Sequence, residues 1–292
     1  MIELVAVVLR VRDTLEVLSS QTPPQLPSGP LRDDHDSLQK AARAFATEQM
    51  GHELGFVEQL YTFADLGRGS STQRLISISY LGLTRPGGGG TWQTVYAALP
   101  WEDHRDPASK GVVAELVDVL LAWAHMEAPQ QARAERVAHA FGLDPHPWRP
   151  DLALQRYELL WEAGLVAESR RRDPRLGTGP IDTGQEMALD HRRILATALS
   201  RLRAKIEYAP VVADLMPPEF TLGALQDVVE TIAGQNVHKQ NFRRQVQQDR
   251  LVDAIDRTAG TGGRPAQMYR FQRDVVENLR QAGTKAPIPR SR

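Results

Sequence analysis

The last third of the chain contains short helical segments in close succession, followed by a glycine-rich hairpin. Helical periodicity predicts three helices, over Pro210–Leu215, Thr221–Ala233 and His238–Gln248. Two strand-like segments follow with turn-forming residues between them: Leu251–Asp256 and Gln267–Phe271, flanking Gly260, Gly262, Gly263 and Pro265. Helices and a hairpin in this order predict a winged helix-turn-helix, a module that binds nucleic acid.

The third of these helices has two faces of opposite character. Phe242 and Val246 lie four residues apart, so they share one face and are expected to be buried together. In the major groove arginine pairs with guanine and glutamine with adenine, whereas a lysine neutralises a phosphate. The exposed face carries this residue set, with Lys239 for a phosphate and four candidate base readers, Gln240, Arg243, Arg244 and Gln247. Arg264, in the glycine-rich turn, is expected to reach a phosphate or the minor groove.

The alternative interpretation of this face is an ordinary solvated polar surface. The distribution of charge favours DNA binding. The whole chain has a net charge of −1, but the segment from Asn236 to Arg292 has twelve Lys and Arg against five Asp and Glu, a net +7 that leaves −8 for the rest. A basic module on an acidic body is typical of a DNA-binding domain joined to a sensing domain.

The preceding residues predict an α+β arrangement. We expect strands over Met1–Arg12, Leu15–Ser19, Leu75–Leu83 and Thr91–Leu99, with a helix over Ser37–Met50 capped by Asp36 or Ser37. Further helices are predicted over Ser109–His125, Gln130–Phe141, Leu152–Gly164 and Met187–Tyr208, whereas Arg170–Gly184 reads as an exposed basic and then Gly/Pro-rich loop. The predicted boundaries are a sensing domain at 1–207 with a helical insertion at about 128–184, the winged helix at 208–275, and a flexible basic tail at 276–292.

Two features limit the compartment and the chemistry. The chain has no cysteine, which excludes disulfides and thiolate metal sites and favours the reducing cytoplasm. The first residues carry Glu3 and Arg10 inside an apolar run, and Glu115 and Asp118 interrupt the longest apolar stretch. We therefore expect neither a signal peptide nor a membrane span.

Several segments of the last third resemble the Nudix-related transcriptional regulators of NAD metabolism, the NrtR-like and NadQ-like repressors. They are residues 189–199 (LDHRRILATAL), 218–222 (PEFTL), 241–244 (NFRR), 263–266 (GRPA) and 269–271 (YRF), and the N-terminal half agrees at 60–65 (LYTFAD) and 74–81 (RLISISYL). The resemblance implies a Nudix-like α/β/α sandwich, a helical segment and a C-terminal winged helix. It also implies a homodimer on a palindromic operator, and Asn241, within one of these segments, joins the expected DNA-binding residues. The segment at about 128–184 is longer than compact members need, which favours the NadQ-like branch.

The Nudix box is degenerate when this sequence is aligned with the superfamily pattern. Gly29, Arg43 and Glu48 match, but the carboxylate positions hold His35, Ala44 and Thr47. Magnesium bound to a pyrophosphate needs several carboxylate oxygens on one helix face, and Glu48 alone cannot supply them. We therefore expect no enzyme activity, no catalytic residues, no metal site and no cofactor.

The resemblance implies that the retained scaffold binds an adenine nucleotide of the NAD, ATP or ADP-ribose type. The candidate ligand-binding residues are Arg43, Glu48 and Arg74, although Arg43 is expected first to hold the box loop to its helix. The sequence thus predicts a repressor of NAD biosynthesis genes. Two alternatives stay open: an active nucleotide hydrolase with a DNA-binding appendage, using Glu48 with Glu53 or Glu58, and a protein-interaction adaptor.

Overall fold

A mixed six-stranded β-sheet forms the centre of the N-terminal half. The computed structural model describes residues 1–20, 22–51, 54–65, 68, 74–126, 129–176, 181–206, 211–260 and 265–272. The strands of the sheet are β1 (Ile2–Val11), β2 (Leu15–Ser19), β3 (Ser28–Pro30), β4 (Val57–Phe63), β5 (Ile76–Leu83) and β6 (Thr91–Thr94). Their order is β4-β5-β1-β2-β6, with β3 also paired to β1. The β1–β5 pair is parallel and the other pairs are antiparallel.

One face of this sheet is covered by α1 (Leu38–Met50), the helix of the degenerate Nudix box. Ser37 caps it by accepting a hydrogen bond from the backbone nitrogen of Lys40, and Gly51 ends it in a left-handed conformation. The ring of Phe45 lies against Gly29, where an added Cβ would be 2.5 Å from two ring carbons. The glycine that matched the box is therefore packed closely against the ring of Phe45 in this chain.

The remaining helices lie on the other face of the sheet and at its end. They are α2 (Val95–Ala98), α3 (Pro107–Met126), α4 (Gln130–Phe141), α5 (Ala153–Glu162), α6 (Ala167–Arg172) and α7 (His191–Ile206). Helix α7 is buried along most of its length and contacts β1, β4, β5 and α5. Because α1 and α7 cover opposite faces, the N-terminal part is the expected α/β/α sandwich.

The C-terminal module contains α8 (Leu222–Ala233), α9 (Lys239–Gln248) and a three-stranded sheet. The strands are β7 (Phe220–Thr221), β8 (Val252–Ala259) and β9 (Ala266–Phe271), in the order β7-β9-β8. Phe220, Leu222 and Leu225 belong to the same hydrophobic cluster as α7 and the adjoining face of the large sheet. The structure is thus a Nudix-like sandwich, a helical segment and a winged helix joined by one continuous apolar core.

Charged side chains at the centre of the helical segment form a buried network. The Glu102 carboxylate accepts hydrogen bonds from Arg156 at 2.6 and 2.9 Å and from Arg203, and all three side chains are fully buried. Arg203 also donates to the carbonyl oxygen of Ile232 at 2.9 Å, and the Gly234 carbonyl accepts from the His104 backbone nitrogen at 2.8 Å. The network therefore fixes the end of α8 to the sandwich and the helical segment.

The structure corrects the predicted helix boundaries in the middle of the chain. The helix expected from Met187 begins at His191, because Leu189 is left-handed (φ 51°) and the Met187 nitrogen donates to Glu168. Part of the loop predicted over Arg170–Gly184 is helix α6, in which Glu168 is buried against Arg192. The segment that follows contains a short 3-10 helix, Pro174–Leu176.

Two other predicted elements are shorter than expected. The strand predicted over Thr91–Leu99 ends at Thr94, whose hydroxyl accepts from the Tyr96 nitrogen and caps α2. The helix predicted over Pro210–Leu215 is a 3-10 turn, Val211–Asp214, and Pro217 follows too closely for a longer helix. Within the described ranges, no helix has the length and apolar character to cross a bilayer.

Candidate nucleic-acid interface

The turn between α8 and α9 is held by side chains of α8. The Glu230 carboxylate accepts hydrogen bonds from the Val237 nitrogen at 2.8 Å and from the Gln226 amide at 2.9 Å, and the same amide donates to the Val237 carbonyl at 2.9 Å. Gly234 ends α8 with φ 66°, where an added Cβ would collide with the Glu102 carbonyl oxygen. This geometry sets the orientation of α9 relative to α8.

Helix α9 has one buried edge and a broad exposed face. Val246 is 4% exposed and Phe242 is partly buried against the same core, as the four-residue spacing predicted. The predicted DNA-binding residues of this helix are all exposed: Lys239, Gln240, Asn241, Arg243, Arg244 and Gln247. The helix therefore presents cations and amides to solvent while its apolar edge anchors it.

A cleft of about 520 Å³ separates this face from the hairpin and the start of α8. Lys239, Arg243 and Gln247 line it from α9, at successive four-residue steps. Pro265 and Tyr269 line it from the hairpin, with the first residues of α8 at its end. Arg264, the predicted contact of the wing, lies outside the described residues, and β9 places Tyr269 in the cleft instead. Tyr269 belongs to one of the family-like segments, 269–271, and the sequence pattern assigns it no role.

The charges of this surface are mostly uncompensated. Arg244 makes one hydrogen bond of 3.3 Å, to the Asn241 side-chain oxygen, and Arg257 pairs with Glu219. Among the residues that the structure describes, neither Lys239 nor Arg243 forms an ion pair with a carboxylate. Cations without carboxylate partners at an open cleft favour an anionic partner.

Comparisons with known proteins agree with this arrangement. Residues 212–271 match the family of the NrtR DNA-binding winged helix domain. This segment is therefore similar in sequence to the NrtR DNA-binding winged helix domain. The chain is also 42% identical over 86 residues to the ADPR responsive transcriptional repressor NtrR of Acinetobacter baylyi, which is 30% of this chain and 34% of the relative. The chain therefore matches about a third of the length of that curated relative.

Two solved structures share the fold. The crystal structure of Shewanella oneidensis NrtR complexed with a 27mer DNA aligns with a TM-score of 0.55 at 18% identity, covering 94% of this chain and 95% of that one. A MutT/nudix family protein from Enterococcus faecalis aligns with a TM-score of 0.51 at 15% identity, covering 93% and 87%. The whole chain therefore shares the overall fold of these two proteins.

The residues predicted to bind a ligand in that sandwich lie in different surroundings. Arg43 donates to the carbonyl oxygens of Leu54 and Gly55 at 2.6 and 3.0 Å, the anchoring role expected first for it. Arg74 donates twice to the Ala64 carbonyl, at 2.7 and 3.0 Å, and Glu48 is exposed on α1. Their assignment to a ligand therefore stays a prediction.

The acidic loop before α1 has local partners of its own. The Asp36 carboxylate pairs with Lys40 at 2.9 Å, which holds the pKa of Asp36 below its usual value, and the Arg32 nitrogen donates to the His35 ring. This loop borders an open cavity of about 510 Å³ that includes Asp33 and Leu38. In the described part of the chain, no group of three His, Asp or Glu side chains is placed to hold a metal ion.

Proposed function

We propose that this protein is a ligand-controlled transcriptional repressor that binds double-stranded DNA through α9 and the adjoining hairpin. The observation that carries the proposal is the exposed cationic face of α9, above the cleft, within a segment that matches a DNA-binding family. Lys239 and Arg264 bind phosphates. Bases are read by the remaining set, Gln240, Asn241, Arg243, Arg244 and Gln247.

Repression requires a homodimer on a palindromic operator, because one winged helix offers few base contacts. Helices α3 and α7 were the sequence candidates for joining two subunits. Since α7 buries most of its residues within its own protomer, α3 is the better candidate. It leaves Val112, Val113 and Trp123 only partly buried.

The sandwich acts as the sensor. We infer that it binds an adenine nucleotide of the ADP-ribose, NAD or ATP class without hydrolysing it, because the box lacks the carboxylates that magnesium needs. The curated relative is described as ADPR responsive, which supports ADP-ribose as the first ligand to test. The regulated genes are then those of NAD biosynthesis, and the protein works in the cytoplasm.

A mobility-shift experiment tests the proposal. The full chain is titrated onto DNA from its own upstream region, onto promoters of NAD biosynthesis genes, and onto a scrambled fragment of equal length. Each titration is repeated with NAD, ATP and ADP-ribose. We expect tighter binding to one natural fragment than to the scrambled one, and a change of affinity with at least one nucleotide. Equal affinity for all fragments at physiological salt would contradict a repressor and favour a non-specific or adaptor role.

A further inference from the structure

Another cavity lies where the helical segment meets the sandwich. Its volume is about 480 Å³, within the range of small-molecule sites. Leu75 borders it from the residue before β5, and Leu189 from the residues before α7. Helices α5 and α6 contribute Trp161, Arg171 and Arg172. Among the residues that the structure describes, none of the box, Gly29 to Gly51, lines this cavity.

The carboxylates at the cavity wall are already neutralised. Asp190 accepts two hydrogen bonds from Arg68, both of 2.6 Å, in a bidentate pair that is nearly buried. Glu168 is fully buried and accepts from Arg192 and from the Met187 nitrogen. Arg192 is not part of the lining, so Glu168 is balanced from behind the wall.

Two further arginines, Arg171 and Arg172, line the cavity. Arg171 donates to the Met187 and Leu189 carbonyls, and its ion pair with Glu186 is exposed on both sides, at 41% and 49%. Arg172 lines the same wall one residue later. Because an exposed ion pair is worth little in water, a ligand phosphate can compete with Glu186 for the guanidinium. The cavity therefore favours an anion.

The rest of the lining is apolar and includes one aromatic ring. Trp161, on the last turn of α5, is partly buried and lies beside Leu75 and Leu189 at the cavity. An indole next to guanidinium groups suits a ligand that joins a flat heterocycle to phosphates. This combination of groups is the chemistry of a nucleotide.

We propose that this cavity binds a nucleotide, with its phosphates at Arg171 and Arg172 and its base against Trp161. The proposal deepens the proposed function, on which it rests, by placing the effector between the sandwich and the helical insertion rather than at the degenerate box. It gives the arginine-rich segment a role beyond that of a solvated loop.

Helix α7 joins this cavity to the DNA-binding module. Leu189 and Asp190 line the cavity directly before α7 begins. The helix has 16 residues, about 24 Å at 1.5 Å per residue, and near its other end Arg203 binds the Ile232 carbonyl of α8. A ligand that displaces the residues before α7 therefore acts on a rigid element that holds the winged helix.

Calorimetric titration of the full chain with ADP-ribose, AMP, adenosine and inorganic pyrophosphate tests the site. We expect ADP-ribose or AMP to bind more tightly than either adenosine or pyrophosphate alone. The double variant Arg171→Gln/Arg172→Gln should bind the nucleotide at least about tenfold more weakly, since hydrogen bonds to charged groups are lost. Arg175→Gln is the matched control, because Arg175 lies in the same segment, pairs with Asp173 and does not line the cavity. Its affinity should equal that of the parent.

A second measurement locates the ligand without relying on the arginine variants. Nucleotide binding should change the tryptophan fluorescence of the parent, and Trp161→Phe should remove most of that change. No nucleotide binding to the parent, unchanged affinity in the double variant, or an unchanged fluorescence response in Trp161→Phe would each overturn the proposal. The same proteins are assayed on DNA without nucleotide. If the parent shows no specific DNA binding in this assay, the repressor function is contradicted. The calorimetric titration still tests the nucleotide site in that case.

Discussion

Arg203 on α7 donates a hydrogen bond of 2.9 Å from Nε to the backbone carbonyl oxygen of Ile232, near the end of α8. The same guanidinium pairs with the Glu102 carboxylate, which also holds Arg156. Burial is the largest influence on the pKa of Glu102 and raises it, but the two guanidinium groups outweigh burial and the pKa is lowered. Glu102 is therefore ionised and keeps two buried cations paired.

Glu102→Gln should destabilise the protein strongly, because two buried guanidinium groups lose their counterion. We expect the free energy of unfolding in urea to fall by about 3–5 kcal/mol. Glu162→Gln is the control, since its pair with Arg136 is exposed and its loss should cost less than about 1 kcal/mol. Equal losses of unfolding free energy in the two variants would contradict this stabilising role of the buried network.

Gly29→Ala should destabilise the sandwich, because the new Cβ would lie 2.5 Å from the ring of Phe45. Overpacking of this kind costs about 1–3 kcal/mol. In a Phe45→Leu background the cost of Gly29→Ala should shrink, which a double-mutant cycle in urea measures. Gly111→Ala is the control: the position is helical and open, and alanine there should stabilise by about 0.5–1 kcal/mol. Additive effects of the Gly29 and Phe45 changes would rule out the proposed contact.

His191 should make the stability depend on pH between about 4 and 6.5. Burial lowers the pKa of His191 from 6.5 to about 4; the charge of Asp190 raises it and that of Arg68 lowers it. Because the unfolded chain binds the proton more readily, the contribution is intact above pH 6.5 and is lost as the pH falls toward 4, by up to about 3 kcal/mol. His191→Asn, which can still accept from the Leu26 nitrogen, lacks this titration. Urea unfolding of the parent and of His191→Asn at a series of pH values gives the free energy of unfolding of each. The difference between the two free energies should change by that amount between pH 6.5 and pH 4, and a constant difference would contradict the assignment.

The elements of the winged helix could be predicted from sequence because their signals are local. Thr221 and Gly234 bound α8, and the buried spacing of Phe242 and Val246 defines α9. Strand β4 was not predicted as an element, because Val57–Phe63 has polar residues between its apolar ones and is half exposed. The run of arginines in α6 is typical of an exposed loop, and no local pattern marks Glu168 as buried.

The two candidate sites, the face of α9 and the cavity beside α7, also differ in how far the sequence could predict them. The predicted base-reading residues lie on one helix, so their spacing alone brings them together. The cavity beside α7 combines Arg68, Leu75, Trp161 and Asp190, which are distant in sequence. Arg68 has glycine on both sides and no periodic pattern to mark it. Only the tertiary fold could show that it pairs with Asp190.

The degenerate box should not support hydrolysis of ADP-ribose. Ala44 and Thr47 occupy carboxylate positions on α1, and exposed Glu48 cannot hold magnesium alone. We expect no AMP when the protein is incubated with ADP-ribose or NADH and magnesium or manganese, and the same result for Glu48→Gln. Turnover near about 1 s⁻¹, a tenth of the typical enzyme median, that Glu48→Gln abolishes would instead establish the hydrolase.

Some residues on the exposed face of α9 should contact bases and others should contact phosphates. Arg243→Ala and Arg244→Ala should each cost about 1–3 kcal/mol on the operator and relax the preference at one base position, if each makes a bidentate guanine contact. Lys239→Ala should weaken binding to all sequences alike and reduce the slope of log K against log salt by about one unit, because a phosphate contact releases a counterion without reading a base.

Fluorescence anisotropy on operator and random duplexes at four salt concentrations separates these effects. Arg201→Ala is the control, since Arg201 is exposed on α7 outside the interface, and it should match the parent on both duplexes. Phe242→Ala tests the scaffold: Phe242 is only partly buried, so its loss should cost less than the roughly 3–5 kcal/mol of a fully buried phenylalanine. If Arg243→Ala and Arg244→Ala stay folded by circular dichroism and bind both duplexes as the parent does, α9 is not the reading helix.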